Sequence, residues 1–188
     1  MNETSKTKKM PGSDKWTAEA YDWVRTIVFA VVISTLVLLF ILRTVSVVGS
    51  SMVPTLSDGE RVVVSRLFYT PRQGDIVVLR KESFMSEPIV KRVIAVAGQT
   101  VDIDFDAGLV YVDGEALEED YVNSPTLERE DFEGSVTVPE GCVFVMGDNR
   151  NRSTDSRDEA LGCVDERYII GKALWRIWPI DKLGTVYK

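Results

Sequence analysis

From Val24 to Leu42 only Arg25, Thr26, Ser34 and Thr35 interrupt a continuous apolar run. Backbone placed in an apolar medium must satisfy its own hydrogen bonds, so about 20 such residues are driven towards one helix long enough to span a bilayer. Tyr21 and Trp23 just before the run, with Arg25 and Arg43 near its two ends, suit the two interfaces. Lys6, Lys8, Lys9 and Lys15 precede it, which orients the N-terminus to the cytoplasm and puts everything after Arg43 across the membrane. The expected division is a polar cytoplasmic tail over 1–20, an anchor over 21–43 and an extracytoplasmic domain over 44–188. A cleaved secretory leader competes with this reading, but the run exceeds a usual leader core and no A-x-A-like site follows it, which favours a retained, single-pass anchor.

The remaining length of a 188-residue chain suits one globular domain with a core of its own. A formal charge of −7 speaks against general nucleic-acid binding, which wants a basic face. Histidine is absent, and this excludes a Ser-His-Asp triad, a Cys-His pair and every His-ligated metal. Cys142 and Cys163 lack C-x-x-C spacing, so no zinc site and no metal is expected; one disulfide and two buried free thiols both remain open.

Past Arg43 the pattern becomes short and rich in Val, Ile, Tyr and Phe. Strands are expected at 61–65, 75–79, 89–97, 109–112, 135–138, 142–146 and 168–177, separated by turn signals such as Ser57-Asp58-Gly59 and Pro139-Glu140-Gly141. Asp113-Gly114 is a two-residue hairpin signal. The expected fold is an all-β domain of antiparallel sheets or a barrel, with an acidic, less regular subdomain or flap near 99–140.

Three stretches carry chemistry. In Gly49-Ser50-Ser51-Met52-Val53-Pro54-Thr55-Leu56, small residues flank Ser51 and Pro54 stiffens the backbone behind it, which suits an exposed nucleophile and equally an ordinary turn. With no histidine available, a base for that hydroxyl must be lysine, a carboxylate or a terminal amine. Lys91 sits with Arg92 inside the apolar run Pro88–Gly98, and strand alternation sends the two charges to opposite faces, so one of them meets apolar neighbours. An amine in such surroundings loses solvation and protonates less readily, as a general base requires; an edge lysine reaching out to water is the plainer alternative. The third stretch, Met146 to Asp158, crowds turn formers, hydroxyls and both signs of charge into one loop, where Asp155 and Arg157 can pair and Ser153 can bond a neutral amine.

Ser51 in GSSMVPTL, Arg72-Gln73-Gly74-Asp75-Ile-Val-Val, Lys91-Arg92-Val93-Ile94-Ala95 and the loop from Met146 to Arg157 resemble, in order, the sequence boxes of the bacterial type I signal peptidases (leader peptidases). The single anchor and modest length are similar to the Gram-positive branch. The resemblance implies a signal-peptidase type all-β catalytic domain and a membrane-anchored serine endopeptidase that removes N-terminal signal peptides from secreted precursors after an Ala-X-Ala pattern. It makes Ser51 the nucleophile and Lys91 the base, Ser153 the hydroxyl that orients the amine, and Asp155 with Arg157 a supporting ion pair; Asp148 and Asn149 match structural positions. The Ser51 N–H is the expected oxyanion donor; where some members add a hydroxyl two residues before the nucleophile, this chain has Gly49, which leaves the second donor to Ser50 or another main-chain N–H. Val47, Leu56 and Val90 are the expected wall for small substrate side chains. Met52 and the Trp175 and Trp178 segment are candidates for lipid contact. The implied partners are precursor proteins and the bilayer, with a monomeric chain and no cofactor. A self-cleaving repressor-type protease, a sortase-like enzyme, and an inactive homologue or tethered β binding module are the alternatives; the apolar run opposes the first, and the lack of histidine the second.

Overall fold

The computed structural model describes residues 13–187, with side chains described except at 13–15 and 37–41. The tail over 1–12 lies outside them. Helix α1 spans Ser13–Ile41, about 43 Å at 1.5 Å per residue. It begins eight positions before the boundary the sequence suggests, because Ser13, Ala18 and Ala20 suit a first stretch of helix and no breaker intervenes. From Val24 to Leu36 its described apolar side chains are exposed on every side, with no single stripe. Among the described residues no helix is long and apolar enough to cross a membrane.

Leu42 and Arg43, assigned above to the anchor, belong to the first strand. The strands are β1 (Leu42–Ser46), β2 (Arg61–Ser65), β3 (Ile76–Leu79), β4 (Ile89–Val96), β5 (Thr100–Asp104) and β6 (Leu109–Val112). They continue with β7 (Glu115–Ala116), β8 (Ser135–Thr137), β9 (Cys142–Met146), β10 (Val164–Asp165), β11 (Ile169–Trp178) and β12 (Gly184–Thr185). Every pairing among them is antiparallel. A large sheet runs β1-β2-β11-β3-β4-β9-β10 with β12 added beside β11, and a small sheet runs β7-β6-β5-β8. Strands β7, β10 and β12 escape the sequence pattern because two residues carry no alternation, and β5 because its outward positions are Asp102 and Asp104, a residue type depleted in strands.

Period-two alternation builds the core. On β3, Ile76 and Val78 enter a cluster with Val47, Met52, Leu56, Val62, Val64, Val90 and Ala173, while Val77 and Leu79 face the other side with Val93, Val143, Val145 and Ile169. A third cluster joins the two sheets: Ile94, Phe144 and Met146 of the large one pack on Val101, Ile103 and Val110 of the small one. Phe132 fills that seam edge-on to Phe144, with ring centres 5.9 Å apart.

The small sheet is an excursion between β4 and β9 whose two ends are bonded to each other. Gly98 N–H donates to the Val138 carbonyl at 2.9 Å, and Val138 N–H donates to Gln99 at 2.8 Å. Asp113 and Gly114 turn the β6–β7 hairpin with φ of +54° and +83°, the mirror-image turn that two-residue hairpins favour. Met52 is 1% exposed and lies in the first core cluster, which removes it from lipid contact; Trp175 and Trp178 are 60% and 50% exposed. Both cysteines are free and half-buried.

Strand β11 is long and bends, with irregular register against both neighbours. Gly171 sits where it crosses β2, and a Cβ there would lie 2.6 Å from the Ser65 carbonyl oxygen. Gly171→Ala is therefore expected to cost about 1–3 kcal/mol. Denaturant titration of the two full-length chains measures it, and equal midpoints would mean the strands part without strain.

Candidate active site

The loop between β1 and β2 presents Ser51. Its neck is closed by Val47 N–H to the Glu60 carbonyl at 2.8 Å and Gly59 N–H to the Val47 carbonyl at 3.0 Å. Gly49 turns the chain at φ +85°, in a region where a side chain is strained, and its N–H donates to the Asp58 carboxylate at 2.8 Å. Leu56 N–H then closes a turn on the Met52 carbonyl at 2.9 Å. From the far side Asn149 grips the same loop: its main-chain N–H donates to the Ser51 carbonyl at 2.9 Å and its Nδ2 to the Ser50 carbonyl at 3.0 Å. Thr55 Oγ1 donates to Asp148 as well. Ser51 itself is half-buried, and its hydroxyl and N–H bond to no other described residue.

Lys91 stands on β4 opposite Val77 of β3, and its side chain turns inward, so the alternative of an edge lysine reaching out to water does not apply. It is 3% exposed, and its Nζ donates to Ser153 Oγ at 2.9 Å. Ser153 donates onward to Asp155 Oδ2 at 2.7 Å. Asp155 also accepts the Gly147 N–H at 2.9 Å and both Arg157 Nε at 2.8 Å and Arg157 Nη2 at 2.9 Å. The carboxylate nearest the amine is thus held by a guanidinium. Burial is the largest influence on Lys91 and lowers its proton affinity; Asp155 and Glu130 pull the other way, Arg157 adds to the lowering, and the net direction is down. Burial works against the Asp155 anion too, but its bonds to Arg157 overcome this and hold the carboxyl below its ordinary range.

Gly147 packs these parts together. A Cβ on it would lie 2.3 Å from Ser153 Oγ and 2.5 Å from the Ser51 carbonyl oxygen, so the Ser51 loop and the Ser153 hydroxyl close on one Cα. Lys91, Ser153, Asp155 and Arg157 form one bonded chain, and the Ser51 main chain abuts it. Val47, Leu56 and Val90 are buried together in the first core cluster beneath the loop. A neutral amine that gives one N–H to Ser153 keeps its lone pair for a proton from elsewhere.

Arg92, on the opposite face of β4, is buried too. It makes a two-pronged ion pair with Asp148 at 2.8 and 2.7 Å and lies 3.8 Å from the Tyr121 ring centre. Arg150 is fully buried against Glu119 and Thr126. The loop clamps made by Asn149 and Gly147, and the partners Glu119 and Tyr121, have no local signal in the sequence, since they depend on contacts between distant segments.

The family model described as "Signal peptidase, peptidase S26" matches residues 20–178. A probable signal peptidase I-1 of Synechocystis is 37% identical over 84% of this chain and 82% of its own length. A signal peptidase I of Bacillus licheniformis is likewise 37% identical, over 87% of this chain and 91% of its own. The crystal structure of a signal peptidase I from Enterococcus faecalis V583 covers 55% of this chain and 97% of its own, at 30% identity and a TM-score of 0.46.

Removing the charge at 155 leaves Arg157 buried beside a neutral group. Asp155→Asn is expected to cost about 3–5 kcal/mol at pH 7. Because the folded value of Asp155 is depressed, its contribution is complete above about pH 4 and fades as pH falls through the lower folded value. Melting curves taken from pH 7 downward check this: the wild-type advantage over Asp155→Asn shrinks only on strong acidification.

Proposed function

We propose, on the premise that the chain belongs to the signal peptidase family, peptidase S26, that this serine endopeptidase works through a Ser51–Lys91 dyad. Ser51 Oγ attacks the scissile carbonyl carbon while neutral Lys91 Nζ takes its proton. Lys91 then returns that proton to the leaving amine, and a water activated by the same amine hydrolyses the acyl-enzyme at Ser51. Ser153 fixes the rotamer of the amine, and Asp155 with Arg157 fixes Ser153. The developing oxyanion faces the Ser51 N–H; Gly49 has no hydroxyl to add, and its N–H is engaged by Asp58. The observation that carries the reading is a buried lysine bonded to a hydroxyl where a buried amine would ordinarily sit against a carboxylate.

The proposed substrate is a precursor cut after an Ala-X-Ala pattern. An extended peptide has two backbone rows to use: β1 is the outer strand of the large sheet, and β4 pairs with β9 only from Arg92 onward, leaving the Ile89–Lys91 stretch open on that side. Val47, Leu56 and Val90, which share one core cluster, are the proposed wall for the small side chains. The reading puts the peptidase domain, from β1 onward, outside the cytoplasm on a single anchor within α1, with the lysine-bearing tail inside. A tether of that kind confines the enzyme to the membrane surface where precursors emerge, raising their local concentration. The exposed Trp175 and Trp178 suit a headgroup layer.

Ser51→Ala and Lys91→Ala are expected to remain folded and to lose roughly 10⁴-fold or more of cleavage of an Ala-X-Ala precursor. Full activity in Lys91→Ala ends the dyad proposal, and an inert but folded wild type turns the reading towards a binding module. The rate also carries a sign with pH. Only the neutral amine is the base, so activity rises with pH through the lowered Lys91 value and stays high on the alkaline side; an acid optimum contradicts it.

A further inference from the structure

We infer that Glu130 is a positioning residue for the Lys91–Ser153–Asp155 chain, acting as a second carboxylate on Arg157 whose charge sets how readily Lys91 gives up its proton. The inference rests on the reading of Lys91 as the base. Glu130 lies between β7 and β8, in the excursion that carries the small sheet. Its Oε2 accepts the Asp155 N–H at 3.4 Å and stands 4.0 Å from Arg157 Nε, with the side chain 19% exposed. Its φ is +50°, a conformation that a non-glycine residue adopts at a cost and keeps only where its surroundings impose it.

Glu130 borders an open cavity of about 650 Å³ whose wall includes Phe132, Phe144, Ser156, Arg157 and Cys163. Glu130 meets that opening, while Asp155 and Arg157 behind it stay 0% and 1% exposed. Other charges there are Arg129, Asp131 and Glu133 on its own loop, and Asp155, Arg157, Asp158 and Glu159 on the facing one. Arg129 stacks on Phe105 at 4.6 Å, and Asp131 accepts the Glu159 N–H at 3.2 Å, so these two are otherwise occupied. Arg157 is already matched by Asp155, so Glu130 brings a further negative charge to the ion pair behind the amine. Burial first, then the neighbouring Asp155 charge, raises the Glu130 carboxyl to about 6. Ionised Glu130 favours the ammonium form of Lys91, and protonated Glu130 does not. The sign follows: loss of this charge moves the Lys91 titration, and the acid limb of activity with it, to lower pH.

The test uses the full chain with 13C-labelled lysine. The Lys91 Cε signal, assigned by its disappearance in Lys91→Arg, is titrated in the wild type, Glu130→Gln and Glu130→Asp, and precursor cleavage is followed across the same pH range. Glu130→Gln keeps an acceptor for the Asp155 N–H and removes the charge. It is expected to displace the Lys91 titration downward and to raise the rate on the acid limb roughly threefold. Glu130→Asp, which keeps the charge and tolerates the positive φ, is expected to titrate like the wild type. A Lys91 titration unchanged in Glu130→Gln, or displaced equally in Glu130→Asp, overturns the inference. Should Glu130→Gln not fold, Glu130→Ala takes its place under the same criteria. A displaced titration in a chain that cleaves no precursor leaves the positioning role standing and refutes the reading of the reaction, so the two failures are distinct.

Discussion

The buried pair of Asp155 and Arg157 is the constraint on which the rest of the site depends. An ion pair placed wholly out of water gains little net stability, because desolvation takes back most of the Coulomb attraction. Here its value lies in what it fixes. With its oxygens committed to Arg157, Ser153 and the Gly147 N–H, Asp155 orients the Ser153 hydroxyl without forming an ion pair with Lys91. The amine is left buried, oriented and poorly stabilised as a cation. Arg157 also donates to the Arg150 and Ser153 carbonyls, so one guanidinium ties the loop shut from inside.

A second layer holds the first. Asp148 is shared by Arg92 and Thr55, Asn149 takes the Ser50 and Ser51 carbonyls, and Arg150 takes Glu119. Three consecutive residues therefore reach three different segments, which explains why a loop this polar is affordable at zero to seven per cent exposure. Among the described residues no buried side-chain nitrogen or oxygen lacks a partner.

Much of this was legible in the sequence where physics is local. Strands with three or more β-branched residues in a short run, such as those expected at 61–65 and 89–97, declare themselves, as does the Asp113-Gly114 turn. The absence of histidine narrows the base before any fold is known, and alternation along 89–97 already buries one of Lys91 and Arg92 without saying which. What stays hidden is whatever depends on segments meeting. Nothing near Glu119, Tyr121 or Glu130 announces an arginine far along the chain, and the role of Gly147 emerges only when Ser51 and Ser153 converge on it. Met52 misleads for a related reason: an exposed loop and a buried one have the same composition when the loop folds back over its own strands.

The bonded stem at Gly98, Gln99 and Val138 has a consequence for how chains of this architecture diversify. An excursion that leaves and re-enters through adjacent hydrogen bonds can be lengthened, pruned or exchanged without re-threading the large sheet. That freedom is bounded from within, because Glu119, Tyr121 and Glu130 ride on the same excursion and cover arginines that would otherwise face a void. Architectural drift is thus cheap at the rim of this module and expensive along the strip that touches the loop from Met146 to Asp158.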